Sequence, residues 1–120
     1  MTNIKQIPLI SSEINGLWNS YMSDTLLVCM LKHFLNRVED EKTSVILQET
    51  CDLSNKHIQE LTNLFGVEQL PVPDGFTDKD VNINAPRLFT DAFYLHYLGF
   101  MSTVAMHNYT LILKDRKSVV

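Results

Sequence analysis

GVEQLPVPDGFTDKDVNINAP, from Gly66 to Pro86, is the stretch that decides the fold. It holds three of the four prolines and two of the four glycines, and it joins two strongly helical regions without a helical pattern of its own. Adjacent antiparallel helices are usually joined by about 2–8 residues, and structureless loops beyond about 12–15 residues are uncommon. A preceding helix of about 25 residues measures roughly 37 Å. A segment of this length, fully extended, reaches up to about 70 Å. The connector can therefore run the length of a bundle and start the next helix from the opposite end, which would make helices two and three parallel. Within it, Pro71, Pro73 and the Asp74–Gly75 pair mark turns, and Phe76, Val81 and Ile83 are spaced to pin it to the bundle surface.

Working outward, the spacing predicts helix one over 12–38. Ser11 or Ser12 can cap it, and Glu13 suits the positive end of the helix dipole. Ile14, Leu17, Trp18, Tyr21, Val28, Leu31, Leu35 and Val38 recur at helical spacing. From Leu26 to Leu35 the helix is apolar nearly all round, broken only by Lys32 and His33, so it should be covered on more than one side, by its own bundle and by a second subunit. The acidic trio Glu39, Asp40 and Glu41 marks the start of helix two, expected over 41–65. Its stripe of Ile46, Leu47, Thr50, Leu53, Ser54, His57, Ile58, Leu61, Leu64 and Phe65 ends at Gly66, the expected left-handed stop. The crossover then spans 66–86. Helix three is expected over 88–114, with Tyr94, Tyr97, Leu98, Met101, Val104, Ala105 and Ile112 on one face and Phe89, Phe93, His96, Phe100 and His107 on an adjacent one.

A chain of 120 residues reads as a single domain, 1–120, able to bury a core without staples. Apolar residues at 45% and charged residues at 20% are ordinary for a globular protein. A net charge of −4 gives no electrostatic footprint for nucleic acid or an anionic membrane. Cys29 and Cys51 lack CxxC spacing; two buried reduced thiols are expected, with a disulfide as the other possibility. The N-terminus MTNIKQIPLISSE lacks the apolar core of a signal peptide. The longest apolar run, Leu26–Leu31, is far short of the roughly 20 residues of a membrane span. The expected location is the cytoplasm.

Crossover bundles of the ferritin-like type often hold two metal ions with inward glutamates and two Glu-x-x-His pairs. Here Met30, Ser54, Phe93 and Val104 stand three residues before His33, His57, His96 and His107, so that signature is absent and no di-metal centre is expected. His57 sits within the apolar stripe of helix two. It reads either as a neutral core histidine hydrogen-bonded to a facing helix or as a metal or ligand contact together with Asp24. Asp24 lies mid-helix among core residues, where an unpaired carboxylate is costly; its alternative is a solvated or hydrogen-bonded side chain. His96 and His107 lie three turns apart and cannot share a metal, and His33 belongs to the broad surface of helix one, within reach of a subunit contact. Neither cysteine sits at a helix N-terminus, where thiolates are stabilised, and no phosphate loop, GxSxG elbow or zinc-finger spacing occurs. Trp18, Met22, Tyr94 and Met101 could line a pocket for a small apolar ligand.

LWNSYMSDT (Leu17–Thr25), the Phe34–Leu35 pair with Val38-Glu39-Asp40-Glu41, LSNKH ending at His57 and, above all, PDGFTDKDVNINAPRLFTDAFYLHYL (Pro73–Leu98) carry a resemblance over nearly the whole chain. The sequence resembles an uncharacterised ferritin-like family of spore-forming Gram-positive bacteria, similar in fold to a spore coat protein F-like group. The resemblance implies one or two bundle units per chain. It implies no activity, substrate or catalytic residue. Members continue into a fourth helix, whereas this chain stops at Val120; the fourth helix is then absent or supplied elsewhere.

The reading is an all-α, ferritin-like up-down bundle with a long crossover between helices two and three. It acts as a non-catalytic structural or binding protein, in a setting of sporulation or stress, without a cofactor. The alternatives are a metal-binding or redox protein with a degenerate site for a single transition-metal ion, and a carrier of a small apolar ligand. A homodimer is expected, through helix one between Leu26 and Phe34 or through the groove edged by helix three.

Overall fold

The computed structural model describes residues 11–118, with side chains for residues 11–104 and His107. Its regular structure consists of α1 (Ser11–Arg37), α2 (Glu41–Val67) and α3 (Asp91–Ser118), plus a single 3-10 turn at Asp78–Asp80. No strand occurs among the described residues, and the class is all-α.

α1 buries a stripe of Leu17, Ser20, Asp24, Leu27, Leu31 and Phe34 at intervals of three and four. That is the spacing that places side chains on one side of a helix. Val38, Glu39 and Asp40 turn the chain, and Asp40 caps α2: one carboxylate oxygen accepts from the Thr43 amide at 2.9 Å and from the Thr43 hydroxyl at 2.9 Å. A cap of this kind contributes about 1 kcal/mol. α2 therefore returns antiparallel to α1, and Leu47, Cys51, Ser54, His57, Leu61 and Phe65 face inward.

The end of α2 differs from the expected stop at Gly66. Gly66 lies inside the helix, and the left-handed residue is Gln69, at φ 59°. The Leu70 amide donates to the Phe65 carbonyl at 2.9 Å and the Gln69 amide to the Gly66 carbonyl at 3.1 Å. This is the Schellman pattern, in which a left-handed residue lets the chain satisfy the last carbonyls. Its usual apolar clasp is present, because Leu70 packs on the cluster of Leu17, Leu61 and Phe65.

Residues 68–90 then run back along α1 toward its C-terminal end. The Phe76 amide donates to Thr25 Oγ1 (3.1 Å), Cys29 Sγ to the Thr77 carbonyl (3.3 Å) and Lys32 Nζ to Asp78 (2.6 Å). Asn36 donates to the Ile83 carbonyl at 2.8 Å. Arg37 donates to the carbonyls of Ala85 and Asn84 at 2.8 and 2.6 Å. Where the strap reaches the α1–α2 junction, Arg87 donates to the Arg37 carbonyl (2.7 Å) and to Asp91 (2.7 Å). Asp91 in turn accepts from the Asp40 amide at 2.8 Å. That amide, with help from Arg87, holds the Asp91 carboxyl below its ordinary range.

α3 starts at Asp91 rather than at 88 because Thr90 supplies its cap, accepting from the Phe93 amide at 3.1 Å. Tyr94 stacks on Phe34, with ring centroids 4.3 Å apart, and one turn later the Tyr97 hydroxyl meets Met30 Sδ at 3.4 Å. Ascending numbers on α3 thus meet descending numbers on α1. α3 is antiparallel to α1 and parallel to α2, with the connector as the crossover between them. The breadth of apolar surface on α1, expected to serve a second subunit, is taken up by α2, α3 and the strap: Leu27, Val28, Cys29, Leu31 and Phe34 are all buried within the chain.

Candidate functional site

On the inner stripe of α1, Ser20 and Asp24 stand one turn apart between Leu17 and Leu27, all four buried. Asp24 is 1% exposed. Both its carboxylate oxygens are inaccessible and without a hydrogen-bond partner, as are the hydroxyl oxygens of Ser20 and Ser102. Burial pushes the Asp24 carboxyl from 3.8 up to about 7, because the charged form loses its water without gaining donors. α2 brings Ser54 and His57, three residues apart on its inner face, and α3 brings Ser102. These side chains surround a cavity of about 20 Å³ lined by Asp24, Leu27, Thr50, Leu53, Ser54, His57 and Ser102. Burial lowers the pKa of His57, favouring the neutral imidazole.

The structure thus places Asp24 and His57 on one chamber at the junction of three helices. The space is the size of one water molecule, and its exposed wall is mostly apolar although Asp24, Ser54, His57 and Ser102 border it. Among the described residues no three His, Cys, Asp or Glu side chains converge as metal ligands. Ser20 and Ser102 were missed in the sequence. The signal was available at Ser20, which sits in register with Asp24 on an otherwise apolar stripe.

Trp18, Met22, Tyr94 and Met101 are not brought together. Tyr94 stacks on Phe34, and Phe34 lies about 24 Å along α1 from Trp18 at 1.5 Å per residue. Trp18 is 46% exposed, while Met101 packs on the cluster around Tyr94 and Leu98. The larger cavity lies elsewhere. It measures about 590 Å³, between α1, α2 and the strap, with Tyr21, Val28, Ile58 and Phe76 as apolar walls and Lys32 and Asp78 among its polar residues. Cys29 borders it, and Cys51 lies in the neighbouring core; both thiols are free. Burial pushes both thiols up, which keeps them protonated and unreactive. His33 anchors the strap, its Nδ1 lying 3.2 Å from the Ile83 carbonyl. His96 and His107 are exposed.

The outer side of α3 is unusual. No Asp, Glu, Lys or Arg occurs from Ala92 to Leu113. Phe89 stacks on Phe93 at 4.2 Å and Phe93 on Tyr97 at 6.2 Å, and the row continues through Phe100, which is 67% exposed, and Val104. No described helix is long and apolar enough to cross a membrane.

No curated protein and no solved structure matches this chain. A family model described as "Protein of unknown function (DUF3231)" matches residues 1–117, and the chain belongs to that family.

Proposed function

We propose that this chain is a non-catalytic structural or binding protein on a ferritin-like crossover bundle, and that its working surface is the outer face of α3, where it pairs with a second copy. The observation that carries this reading is the charge-free run Ala92–Leu113 with its exposed row of Phe89, Phe93, Phe100 and Val104. Helices that face water on one side carry charge there, and apolar surface of this kind on a monomer commonly marks a partner surface. Each chain carries a net charge of −4, so two copies repel over most of their surfaces; the α3 face has no charges to oppose contact. A two-fold dimer meets that condition with the same patch on both sides. The crossover, with α2 and α3 parallel, supports the ferritin-like reading. A setting of sporulation or stress rests on the resemblance, which Pro73–Leu98 carries above all.

Sedimentation at micromolar concentration tests the pairing. The expected result is a dimer that the double substitution Phe93→Glu, Phe100→Glu converts to a folded monomer; a wild-type monomer overturns it.

The cleft of about 590 Å³ favours a second reading, a carrier for a small, largely apolar ligand, because pockets of about 300–1,000 Å³ suit such molecules. Mass spectrometry of solvent extracts from purified protein, finding a stoichiometric small molecule or none, decides it.

A further inference from the structure

We propose that pairing through the outer face of α3 is gated by pH, with His96 as the group that opens it: when its imidazole is protonated, the two copies separate. The inference rests on the pairing proposed above and deepens it, since it concerns how the same surface is controlled. Phe93, His96 and Phe100 follow one another at intervals of three and four, the spacing that places side chains on one side of a helix. All three are exposed. Tyr94 and Leu98, two residues to either side of His96, are buried in the core cluster with Leu31 and Phe34 of α1. His96 therefore points away from the core, into the middle of the aromatic row. A contact that covers Phe93 and Phe100 must cover His96 with them.

Imidazole is the side chain whose charge ordinarily changes between about pH 5 and 8. Neutral, it suits an apolar contact; protonated, it sets a cation there without a counter-charge. From Ala92 to Leu113 there is no Asp, Glu, Lys or Arg to answer it. Asp91, at the start of α3, is held by Arg87 and by the Asp40 amide, and Arg87 lies over the Tyr94 ring. On α1, Asp24 is buried, Lys32 and Arg37 reach the strap, and Glu13 lies at the far end from the Phe34–Tyr94 stack. On α2, Glu41, Lys42, Glu49, Asp52, Lys56 and Glu60 are exposed, and among the described residues none forms an ion pair with His96. A two-fold contact brings the same patch of both copies together, so two like charges would meet in one interface. Ring faces attract a cation, but like charges set against each other across a contact are strongly unfavourable. Stripping each of its water adds to that cost.

The sign of the effect separates it from the behaviour of the molecule as a whole. Each chain carries a net charge of −4 at pH 7 and has an isoelectric point of about 5.4. Acidification therefore weakens the general repulsion between copies and by itself tightens association. Protonation of His96 acts in the opposite sense. The test is sedimentation equilibrium of the full chain at pH 7.5 and pH 6.0 at one ionic strength, with circular dichroism checking the helices at both. The expected result is a dimer at pH 7.5 whose dissociation constant rises about tenfold by pH 6.0, the scale that excluding one imidazole proton per copy allows. His96→Gln should abolish the rise. His96→Lys, a cation at both values, should be a folded monomer at both. A wild-type monomer at pH 7.5 overturns the pairing itself, whereas a dimer equally tight at both values leaves the pairing standing and overturns the gate. A rise in His96→Gln as large as in the wild type overturns the assignment to His96.

Discussion

Asp24 and Thr25 are neighbours in the chain, both are buried, and their fates differ completely. Thr25 belongs to the outer seam of α1, where the strap lies: its hydroxyl donates to the Tyr21 or Met22 carbonyl, each at 3.0 Å, and accepts from the Phe76 amide at 3.1 Å. Further along that seam Cys29, Lys32, Asn36 and Arg37 all reach strap atoms. Asp24 belongs to the inner seam, where Ser20 shares its lack of any partner. One helix thus presents polar groups in two directions and finds answers in only one. The difference teaches that polarity inside a small bundle is no burden in itself; what matters is whether a backbone arrives to meet it. The outer seam is architecture. The inner one finds no hydrogen-bond partner among the described residues.

One break in that comparison comes from Gly75, where the strap lies close against α1. Its φ is +65°, and a Cβ placed there would lie 2.8 Å from Tyr21 Cε2 and 3.1 Å from Thr25 Cγ2. A left-handed conformation costs a non-glycine residue about 1–2 kcal/mol, and overpacking adds about 1 kcal/mol or more. Gly75→Ala should therefore destabilise the fold by about 2–3 kcal/mol in urea denaturation. It should also loosen the seam downstream, seen as faster amide exchange at Phe76. A variant as stable as the wild type would mean that the strap is not seated on α1 at this point.

Asp24→Asn sharpens the comparison from the other side, and with the opposite sign. A carboxyl whose pKa is raised from 3.8 to about 7 on folding contributes stability that is fully present below its unfolded value and lost as pH rises through its folded value. At 1.4 kcal/mol per pKa unit the loss approaches about 4 kcal/mol at most. Asp24→Asn should match the wild type near pH 4. It should gain on it steadily up to pH 7 and exceed it by about 2–4 kcal/mol at pH 8. His57, whose depressed pKa opposes folding below its ordinary 6.5, is common to both proteins and cancels in the difference. A stability difference that does not change with pH would show that Asp24 is solvated or paired in solution.

How much of this was legible follows from which interactions are periodic. The three helices could be read because Leu17, Val28, Leu31 and Leu35, or Leu47, Leu61 and Phe65, repeat at the helical interval. The crossover could be read because only a long, proline-marked stretch spans a bundle. Asp24 and His57 drew notice as polar residues inside apolar stripes, and no more than that. Their meeting in one chamber depends on the relative rotation of three helices, which periodicity does not encode. The strap was expected to be pinned by Phe76, Val81 and Ile83, all half-buried. The polar seam was missed because Lys32, Asn36 and Arg37 look like any solvated helix face until the strap's carbonyls are in place. The four-residue apolar pocket failed for a related reason, since residues of suitable type on two helices need matching heights as well as matching faces.

The smallest effects lie at Gly66 and Gln69, where the strap leaves α2, and they test the point at which sequence and structure disagree. Glycine inside a helix is disfavoured by about 1 kcal/mol relative to alanine, less near a frayed end. A Cβ on Gly66 would meet nothing within 4 Å. Gly66→Ala should thus stabilise by about 0.5 kcal/mol. Gln69 carries the left-handed strain that glycine avoids, at φ 59°. Gln69→Gly should relieve about 1 kcal/mol of it and return about half through the greater freedom of the unfolded chain. The pair moves the glycine to where the Schellman turn needs it. The sign at Gly66 decides the matter: a loss of stability in Gly66→Ala would mean that α2 stops there in solution, as the bare sequence suggests. A gain would place the launch of the strap three residues later, at Gln69, with Leu70 clasped against Phe65.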